Sequence, residues 1–251
     1  MVPQVQVIGV TGMPEVKEGA DLAALIVSAC KSQNTPLKED DVLVVTQKIV
    51  SKSEGRIVDL KDVQPSALAV EYSVACDKDP RHVELMLREC KRVVRMDLGN
   101  IITETRHGFV CAASGVDGSN IPGDNKFCLL PLDSDVSARR IRDGVKKLTK
   151  TTVAVIVSDT WGRPWREGAV NVAIGAAGIS TVKSYKGTLD ATGHLLRVST
   201  IATADEIASA AELVTGKADK VPVTIVRGYE YDKSPDGIKP LLRDKSLDLF
   251  R

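Results

Sequence analysis

The side chains best suited to chemistry follow the apolar run at 153–157. Asp159 and Thr160 place a carboxylate beside a hydroxyl, and Mg²⁺ and Mn²⁺ prefer hard oxygen ligands of this kind. Arg163 and Arg166 come next, and the planar guanidinium group matches carboxylate or phosphate oxygens. A surface turn is the alternative for any one of these residues alone. The cluster as a whole favours a metal and anion site where a strand ends.

A second polar segment combines Asp117 and Asn120 with glycines at 115 and 118. An Asp and an Asn three residues apart could supply a metal ligand and an amide for a base or a phosphate. An Asx-rich turn is the other interpretation of the same residues.

A third segment carries Lys48, Lys52 and Arg56 at four-residue spacing, directly after the apolar run at 42–45. On a helix, side chains four residues apart lie on one side. The three cations would then face either phosphates or solvent, and the sequence leaves both interpretations open.

Two common phosphate-binding fingerprints are missing from the sequence. Gly216 and Lys217 are followed by Ala218, so they do not complete the G-x-x-x-x-G-K-[ST] motif, and no G-x-G-x-x-G motif occurs. A bound nucleotide must therefore be held by another device.

Apolar patterns predict the elements that position these groups. Strands are predicted at 5–10, 42–45, 93–96, 101–105, 109–112, 153–157 and 223–226, and helical faces around 22–30, 83–90, 141–148 and 207–214. Asp79 and Pro80 predict a helix start, and Thr203 with Glu206 predicts a capping box. Strands and helices intermix without a regular βαβ alternation, which favours an α/β or α+β fold with at least one mixed sheet.

The composition is that of an ordinary globular protein. The chain has 251 residues, 43% of them hydrophobic, and a net charge of +1, so bulk charge implies no nucleic-acid or membrane partner. None of the five cysteines forms a C-x-x-C pair, which argues against a disulfide framework or a zinc ribbon. With no signal peptide and no 18-residue apolar run, we expect a cytoplasmic location.

In order along nearly the whole chain, these segments resemble one family, the coenzyme F-420-0 γ-glutamyl ligases. The resemblance is carried by residues 12–19, 41–48 with 51–56, 114–120, 158–175, 204–207 and 221–228. It implies a single domain over 1–251, built as a two-lobed, mixed-sheet α/β arrangement with no marked boundary between the lobes. It also implies a homodimer.

Carried over residue by residue, the family's metal ligands fall on Asp117, Asp159 and Thr160. Its nucleotide contacts fall on Met13, Pro14, Glu15 and Val16, largely through the backbone, on Gln47, Lys48, Lys52 and Asn120, and on Thr215, Gly216, Lys217, Ala218, Asp219, Lys220, Val221 and Pro222. Arg163 and Arg166 are assigned to a substrate carboxylate or phosphodiester from charge and location alone. We predict that they act in catalysis together with Asp117 and Asp159.

One residue departs from the family pattern. Where Lys217 stands, the family carries a Glu or Gln that helps to hold a second metal ion. A second ion in this chain would therefore need another ligand, such as Asp219.

The resemblance implies a GTP-dependent ligase that adds L-glutamate, and then further γ-linked glutamate, to the deazaflavin coenzyme F-420-0 through an acyl phosphate. Its cofactors would be Mg²⁺ or Mn²⁺, as one or two ions, with K⁺ as an additional candidate. Two alternatives stay open: a nucleotide- and metal-dependent carboxylate–amine ligase with a different acceptor, and a non-catalytic nucleotide- or deazaflavin-binding protein. Binding without turnover would identify the last.

Overall fold

The computed structural model describes residues 2–249. Its α-helices are α1 (Leu22–Ser32), α2 (Gln47–Ser53), α3 (Ala67–Cys76), α4 (Pro80–Glu89), α5 (Ser134–Thr149) and α6 (Thr203–Thr215). Its strands are β1 (Gln6–Val10), β2 (Val42–Thr46), β3 (Ile57–Asp59), β4 (Cys90–Asp97), β5 (Asn100–Thr105), β6 (Val110–Ala112), β7 (Lys126–Cys128), β8 (Ala154–Arg163), β9 (Arg166–Ala177), β10 (Lys183–Ser184), β11 (Thr200–Ile201) and β12 (Val223–Arg227). Short 3₁₀ turns span Leu60–Asp62, Ala113–Gly115, Lys239–Leu241 and Lys245–Leu247.

The largest sheet has the strand order β1-β12-β2-β8-β9. Only β2 and β8 run parallel in it, and the other three neighbouring pairs are antiparallel. The predicted mixed sheet is therefore confirmed. Consecutive residues of β2, such as Leu43 and Val44, are almost fully buried, as expected for a strand covered on both faces. We call the buried side chains of this sheet and its helices the main core, which includes Ile26, Leu43, Ile156, Ile174 and Ile225.

A second hydrophobic cluster lies beside the first. It is formed by α3 and α4, the antiparallel sheet β4-β5-β6 and the pair β3-β7. We call it the second core, and its buried side chains are Leu60, Val63, Ala69, Val83, Leu85, Met86, Ile101, Val116 and Leu129.

Helix starts test the sequence signals directly. Asp79 caps α4 by accepting a hydrogen bond from the Arg81 amide, and Pro80 is the first helical residue, as predicted. The prediction of a capping box at the start of α6 is wrong. The helix cap is Ala202, and Thr203 lies inside the helix, where its hydroxyl donates to the Ile201 carbonyl oxygen at 3.4 Å instead of accepting from a first-turn amide. Because Thr203 already has helical backbone angles, its side chain cannot reach back over the first turn.

Three further expectations are corrected. Residues 158–163, predicted as a loop after a strand, belong to β8, because pairing with β9 satisfies their backbone whatever the polarity of the side chains. Val214, predicted to be buried, is exposed. Cys90 opens β4 instead of closing the stripe of α4, and it is only half-buried.

Four of the five cysteines have described side chains, and none of the four is in a disulfide. Cys30, Cys90, Cys111 and Cys128 are free thiols. No helix within residues 2–249 is long and apolar enough to cross a membrane.

Candidate active site

The sheet topology gathers several predicted segments at one edge of the main sheet. Because β2 and β8 are parallel, with Thr46 opposite Ser158, their carboxyl-terminal parts point the same way. The antiparallel β12 begins at the same place, where the Thr46 amide donates to the Pro222 carbonyl at 2.9 Å. The end of β1 lies there too, with Val10 opposite Val223. We call this place the site edge.

Asp117 reaches the site edge from the second core. Its backbone pairs with Cys128 in an isolated antiparallel bridge, and its carboxylate accepts from Lys48 Nζ at 2.5 Å. The amide and the hydroxyl of Ser119 each donate to the same carboxylate at 2.8 Å. Burial raises the pKa of Asp117, but the hydrogen bonds from Lys48 and Ser119 outweigh it and hold the pKa below its usual value.

The pKa of Asp159 is shifted in the direction opposite to that of Asp117. Asp159 lies on β8, where the Thr160 amide and Trp161 Nε1 each donate to its carboxylate at 2.9 Å. Burial is the dominant effect and raises the pKa of Asp159, while those hydrogen bonds and the charge of Lys48 oppose the rise and the charge of Asp117 adds to it. Two carboxylates that feel each other's charge are thus driven in opposite directions, which is typical of functional sites.

A chain of hydrogen bonds runs across the β8–β9 pair behind Thr160. Lys217 Nζ donates to Thr160 Oγ1 at 2.8 Å, and Thr160 Oγ1 donates to Asn171 Oδ1 at 2.7 Å. Asn171 Nδ2 in turn donates to Glu212 Oε2 at 2.8 Å. Asn120 Nδ2 donates to the Lys217 carbonyl oxygen at 3.2 Å, so the loop after α6 is tied to the loop that carries Asp117.

The predicted basic face of α2 is only partly formed. Lys48 and Lys52 lie on the helix, and Lys52 Nζ pairs with Glu15 Oε1 at 2.5 Å. Arg56 lies beyond the helix end and binds Glu89 Oε2 at 2.7 Å, so its prediction as a third member of that face is wrong. Gln47 is 2% exposed, and its side-chain NH₂ group is engaged within the protein by Ser51, Cys128 and Leu129.

The two remaining predicted nucleotide segments both lie at the site edge. In the first, Pro14 and Glu15 are exposed, Met13 is half-buried and Val16 is packed in the main core. The second segment, 215–222, begins at the end of α6. Its middle part, 217–220, is exposed, whereas Thr215 and Val221 are buried and Gly216 and Pro222 are half-buried.

Arg163 and Arg166 are not brought to this cluster. They face each other at the turn of the β8–β9 hairpin, and both are exposed. Arg163 donates to the Glu167 carbonyl oxygen at 3.1 Å. Thr160 and Arg163 are three residues apart on an extended strand, which rises about 3.3 Å per residue, so the arginines lie roughly 10 Å further out.

The donor atoms at the site edge fit one divalent ion. Asp117 and Asp159 offer hard carboxylate oxygens that already attract the ammonium group of Lys48 or hydrogen-bond donors. The hydroxyl of Thr160 fits less well, because an ammonium group already faces it. Among residues 2–249, no three His, Cys, Asp or Glu side chains are grouped so that they could hold a metal.

Sequence reasoning gave no role to Asn171 and Glu212. The sequence does contain a signal for Asn171, which is a polar residue between Val170 and Val172 in an otherwise apolar run. In the structure Asn171 is 3% exposed, and buried amides need hydrogen-bond partners. Glu212 on α6 had no comparable signal, because its partner is 41 residues away in sequence.

Comparison with known proteins agrees with this geometry. Residues 11–228 match the family model described as F420-0:Gamma-glutamyl ligase. The chain is 45% identical over 250 residues to the coenzyme F420:L-glutamate ligase of Methanothermobacter thermautotrophicus, covering 98% of this chain and 99% of the relative. It is 41% identical to the enzyme of the same description from Methanopyrus kandleri (94% of each chain) and 43% identical to that of Methanocaldococcus jannaschii (86% of each chain).

These matches define a ligase, and carboxylate and ammonium groups are gathered at its site edge. The chain belongs to the F420-0:γ-glutamyl ligase family.

Proposed function

We propose that this protein is a GTP- and divalent-metal-dependent ligase that adds L-glutamate to coenzyme F-420-0, and then further γ-linked glutamate. The observation that carries the proposal is the meeting of Asp117 and Asp159 with Lys48 at one edge of the sheet. The relatives named above are described as coenzyme F420:L-glutamate ligases, and two of them match almost end to end. This supports the same acceptor and amino acid here.

The proposed chemistry needs positioning and charge neutralisation more than covalent help. A carboxylate oxygen of the acceptor attacks the γ-phosphorus of GTP, the bond to the bridging oxygen breaks, and GDP leaves. The glutamate amine then attacks the acyl carbon, the bond to phosphate breaks, and an amide forms with release of phosphate and a proton. Phosphoryl transfer of this kind is accelerated mainly by fixed geometry and by cations around the phosphates.

Each residue has a definite part in this scheme. Asp117 and Asp159 would hold Mg²⁺ or Mn²⁺, which when bound neutralises phosphate charge. Lys48 and Lys52 lie beside these carboxylates and the segment 13–16, where their ammonium groups can meet phosphate oxygens. Asn120, whose amide donates to the Lys217 carbonyl oxygen, would contact the nucleotide from the loop that carries Asp117.

Arg163 and Arg166 keep a proposed role in binding the substrate, at a distance from the carboxylates. Their exposure at the hairpin turn suits a charged group of a long substrate better than the reacting atoms. Unchanged KM values for glutamate and F-420-0 in Arg166→Ala would remove that role.

We also propose that the protein forms a homodimer through its projecting segments. The β8–β9 turn exposes Trp165 (82%), and the segment between β10 and β11 exposes Leu189 (67%), Leu195 (54%) and Val198 (82%). Several large apolar side chains left in water are typical of surfaces that bind another protein. Sedimentation equilibrium of the wild type and of Trp165→Glu tests this, and a monomeric wild type would contradict it.

The deciding experiment supplies GTP, Mn²⁺ or Mg²⁺, L-glutamate and F-420-0, and follows the products by mass. Stepwise gain of glutamyl units with matched release of GDP is the expected result. Asp159→Asn should form product about 10²–10³-fold more slowly than the wild type, whereas Asp143→Asn, on the exposed surface of α5, should behave as the wild type. Nucleotide binding without any glutamyl product would contradict the assigned acceptor and favour another carboxylate substrate or a non-catalytic binder. ATP in place of GTP tests the nucleotide.

A further inference from the structure

The hydrogen-bond chain from Lys217 to Glu212 has a fixed direction. A carboxylate can only accept, so Glu212 requires Asn171 to present its NH₂ group, at 2.8 Å. The oxygen of Asn171 then faces Thr160 at 2.7 Å, and the only proton of the hydroxyl must be donated to it. The lone pairs of Thr160 Oγ1 are left to face Lys217, which can only donate.

This series of hydrogen bonds has the positively charged ammonium group of Lys217 at one end and the negatively charged carboxylate of Glu212 at the other. Its interior member, Asn171, is 3% exposed, so its orientation cannot be restored cheaply by water if a partner is lost. A divalent ion at Thr160 would have to share one oxygen with the Lys217 ammonium group, and two cations that close repel strongly.

The backbone at Lys217 is also held in place. Asn120 binds its carbonyl oxygen at 3.2 Å. The preceding residue, Gly216, ends α6 with φ +56°, and a Cβ there would overlap the Asp219 carboxylate. Because the backbone angles of Gly216 (φ +56°, ψ −178°) are essentially confined to glycine, the sequence favours the path of the chain that directs Lys217 toward Thr160.

We propose that the ammonium group of Lys217 is a built-in cation of this site. It takes the place beside Thr160, so that the protein binds one divalent ion, at Asp117 and Asp159, for each nucleotide. An ammonium group has three donors, and with one directed at Thr160 two can serve phosphate oxygens. Thr160, predicted as a metal ligand, is then a positioning residue for Lys217. This inference rests on the proposed nucleotide-dependent function.

The test counts Mn²⁺ ions bound per chain in the presence of a non-hydrolysable GTP analogue, by the loss of the free Mn²⁺ signal in electron paramagnetic resonance. We expect one ion in the wild type, one in Lys217→Arg, which keeps the charge, and two in Lys217→Glu. Lys147→Glu, a matched change on exposed α5, should bind one. Melting curves establish that each variant is folded.

Two ions in the wild type would overturn the inference, and so would a single ion in Lys217→Glu. In either case, continued formation of glutamyl products would leave the proposed function intact. Absence of both Mn²⁺ binding and product in the wild type would instead contradict the proposed function itself.

Discussion

The main core and the second core are built from different kinds of side chains. The central strands of the main core are almost purely apolar, with Leu43 and Ile156 at 0% exposure. The second core includes buried charges: Glu84 is 9% exposed and Glu104 only 2% exposed, and each pairs with an arginine, Arg88 and Arg92. The main sheet also has a buried ion pair at its margin, where Asp41 (1% exposed) binds Arg227 at 2.7 Å. The centre of the main sheet therefore depends on hydrophobic burial, whereas the region of the second core adds several ion pairs whose desolvation must be offset.

The site lies where these two regions meet. Asp159 comes from the main sheet and Asp117 from the margin of the second core, and Gln47 joins the two by donating to the Leu129 carbonyl oxygen at 3.0 Å. The rigid apolar sheet fixes one carboxylate, and a region held by polar contacts carries the other. The geometry of the pair therefore depends on how firmly the second core is docked.

The largest expected effect comes from removing either carboxylate. Asp117→Asn and Asp159→Asn should each lower kcat by about 10²–10³-fold, the size typical of losing one preorganised electrostatic group. Because both would hold the same ion, the double variant should be little worse than either single variant. GDP release at saturating substrates measures all three rates. Multiplicative losses would mean that the two groups act independently.

Replacing one buried isoleucine in each core by alanine should show whether the two cores lose stability independently. Ile156→Ala and Ile101→Ala each empty a buried position (0% and 2% exposed), at a cost of about 2–5 kcal/mol in the free energy of unfolding. We expect Ile156→Ala to lower amide protection everywhere. Ile101→Ala should lower it mainly in β4, β5 and β6. Hydrogen exchange read by mass spectrometry makes the distinction, and equal loss in both regions would indicate one cooperative unit.

Neutralising Glu84 should weaken the second core in a pH-dependent way. Hydrogen bonds from Ser66 lower the pKa of Glu84 despite its burial, and Arg88 adds to the effect. The carboxylate thus stabilises the fold above the usual pKa of 4.5, and this stability is lost as the pH falls through the lowered folded-state pKa.

Glu84→Gln should therefore cost about 1–3 kcal/mol at neutral pH, and the difference from the wild type should shrink in acid. Urea unfolding at several pH values measures it. Glu71→Gln, at an exposed position of α3, is the control. A cost that does not change with pH would show that packing, and not charge, is responsible.

The smallest effect is expected at the turn between β4 and β5. Leu98 (φ +48°) and Gly99 (φ +73°) both have positive φ, as in a type I′ turn, which favours Asn followed by Gly. Leu98 is also 90% exposed, so its side chain gains little from packing. Leu98→Asn should raise stability by about 1 kcal/mol or less, seen as a higher Tm, whereas Leu98→Val should lower it. A lower Tm for Leu98→Asn would contradict this account.

The same contrast explains what the sequence could predict. The apolar runs at 42–45 and 153–157 identified the centre of the main sheet, because buried strands are continuous in hydrophobicity. The extension of β8 to Arg163 was missed, because its pairing with β9 depends on backbone hydrogen bonds that polar side chains do not reveal. In the second core, the ion pair between Arg92 and Glu104 joins residues on neighbouring strands. The sequence alone does not show that these two residues contact each other.

The candidate site also contains some residues that the sequence indicated and others that it did not. Asp159 and Lys48 were chosen from residue type and from their place next to strand ends, and Asp117 from its loop and from the family resemblance. The structure brings the three together, and their roles stay predictions. The chain from Thr160 through Asn171 to Glu212 was not predicted, because it depends on which residues face each other across β8, β9 and α6. Arg163 and Arg166 were placed too near the carboxylates because a loop was expected where the structure has a projecting hairpin.

The pairing of β1 with β12 has a consequence for how the protein is made. Gln6 lies opposite Arg227, so β1 cannot pair with β12 until the more than 200 residues between them have been synthesised. Until then β1 has no neighbour in the sheet, and contacts between residues so distant in sequence form slowly. The segment after β1 and the loop before β12 meet only when that strand pair closes. The site edge is therefore complete only after β12 has been synthesised and has paired with β1.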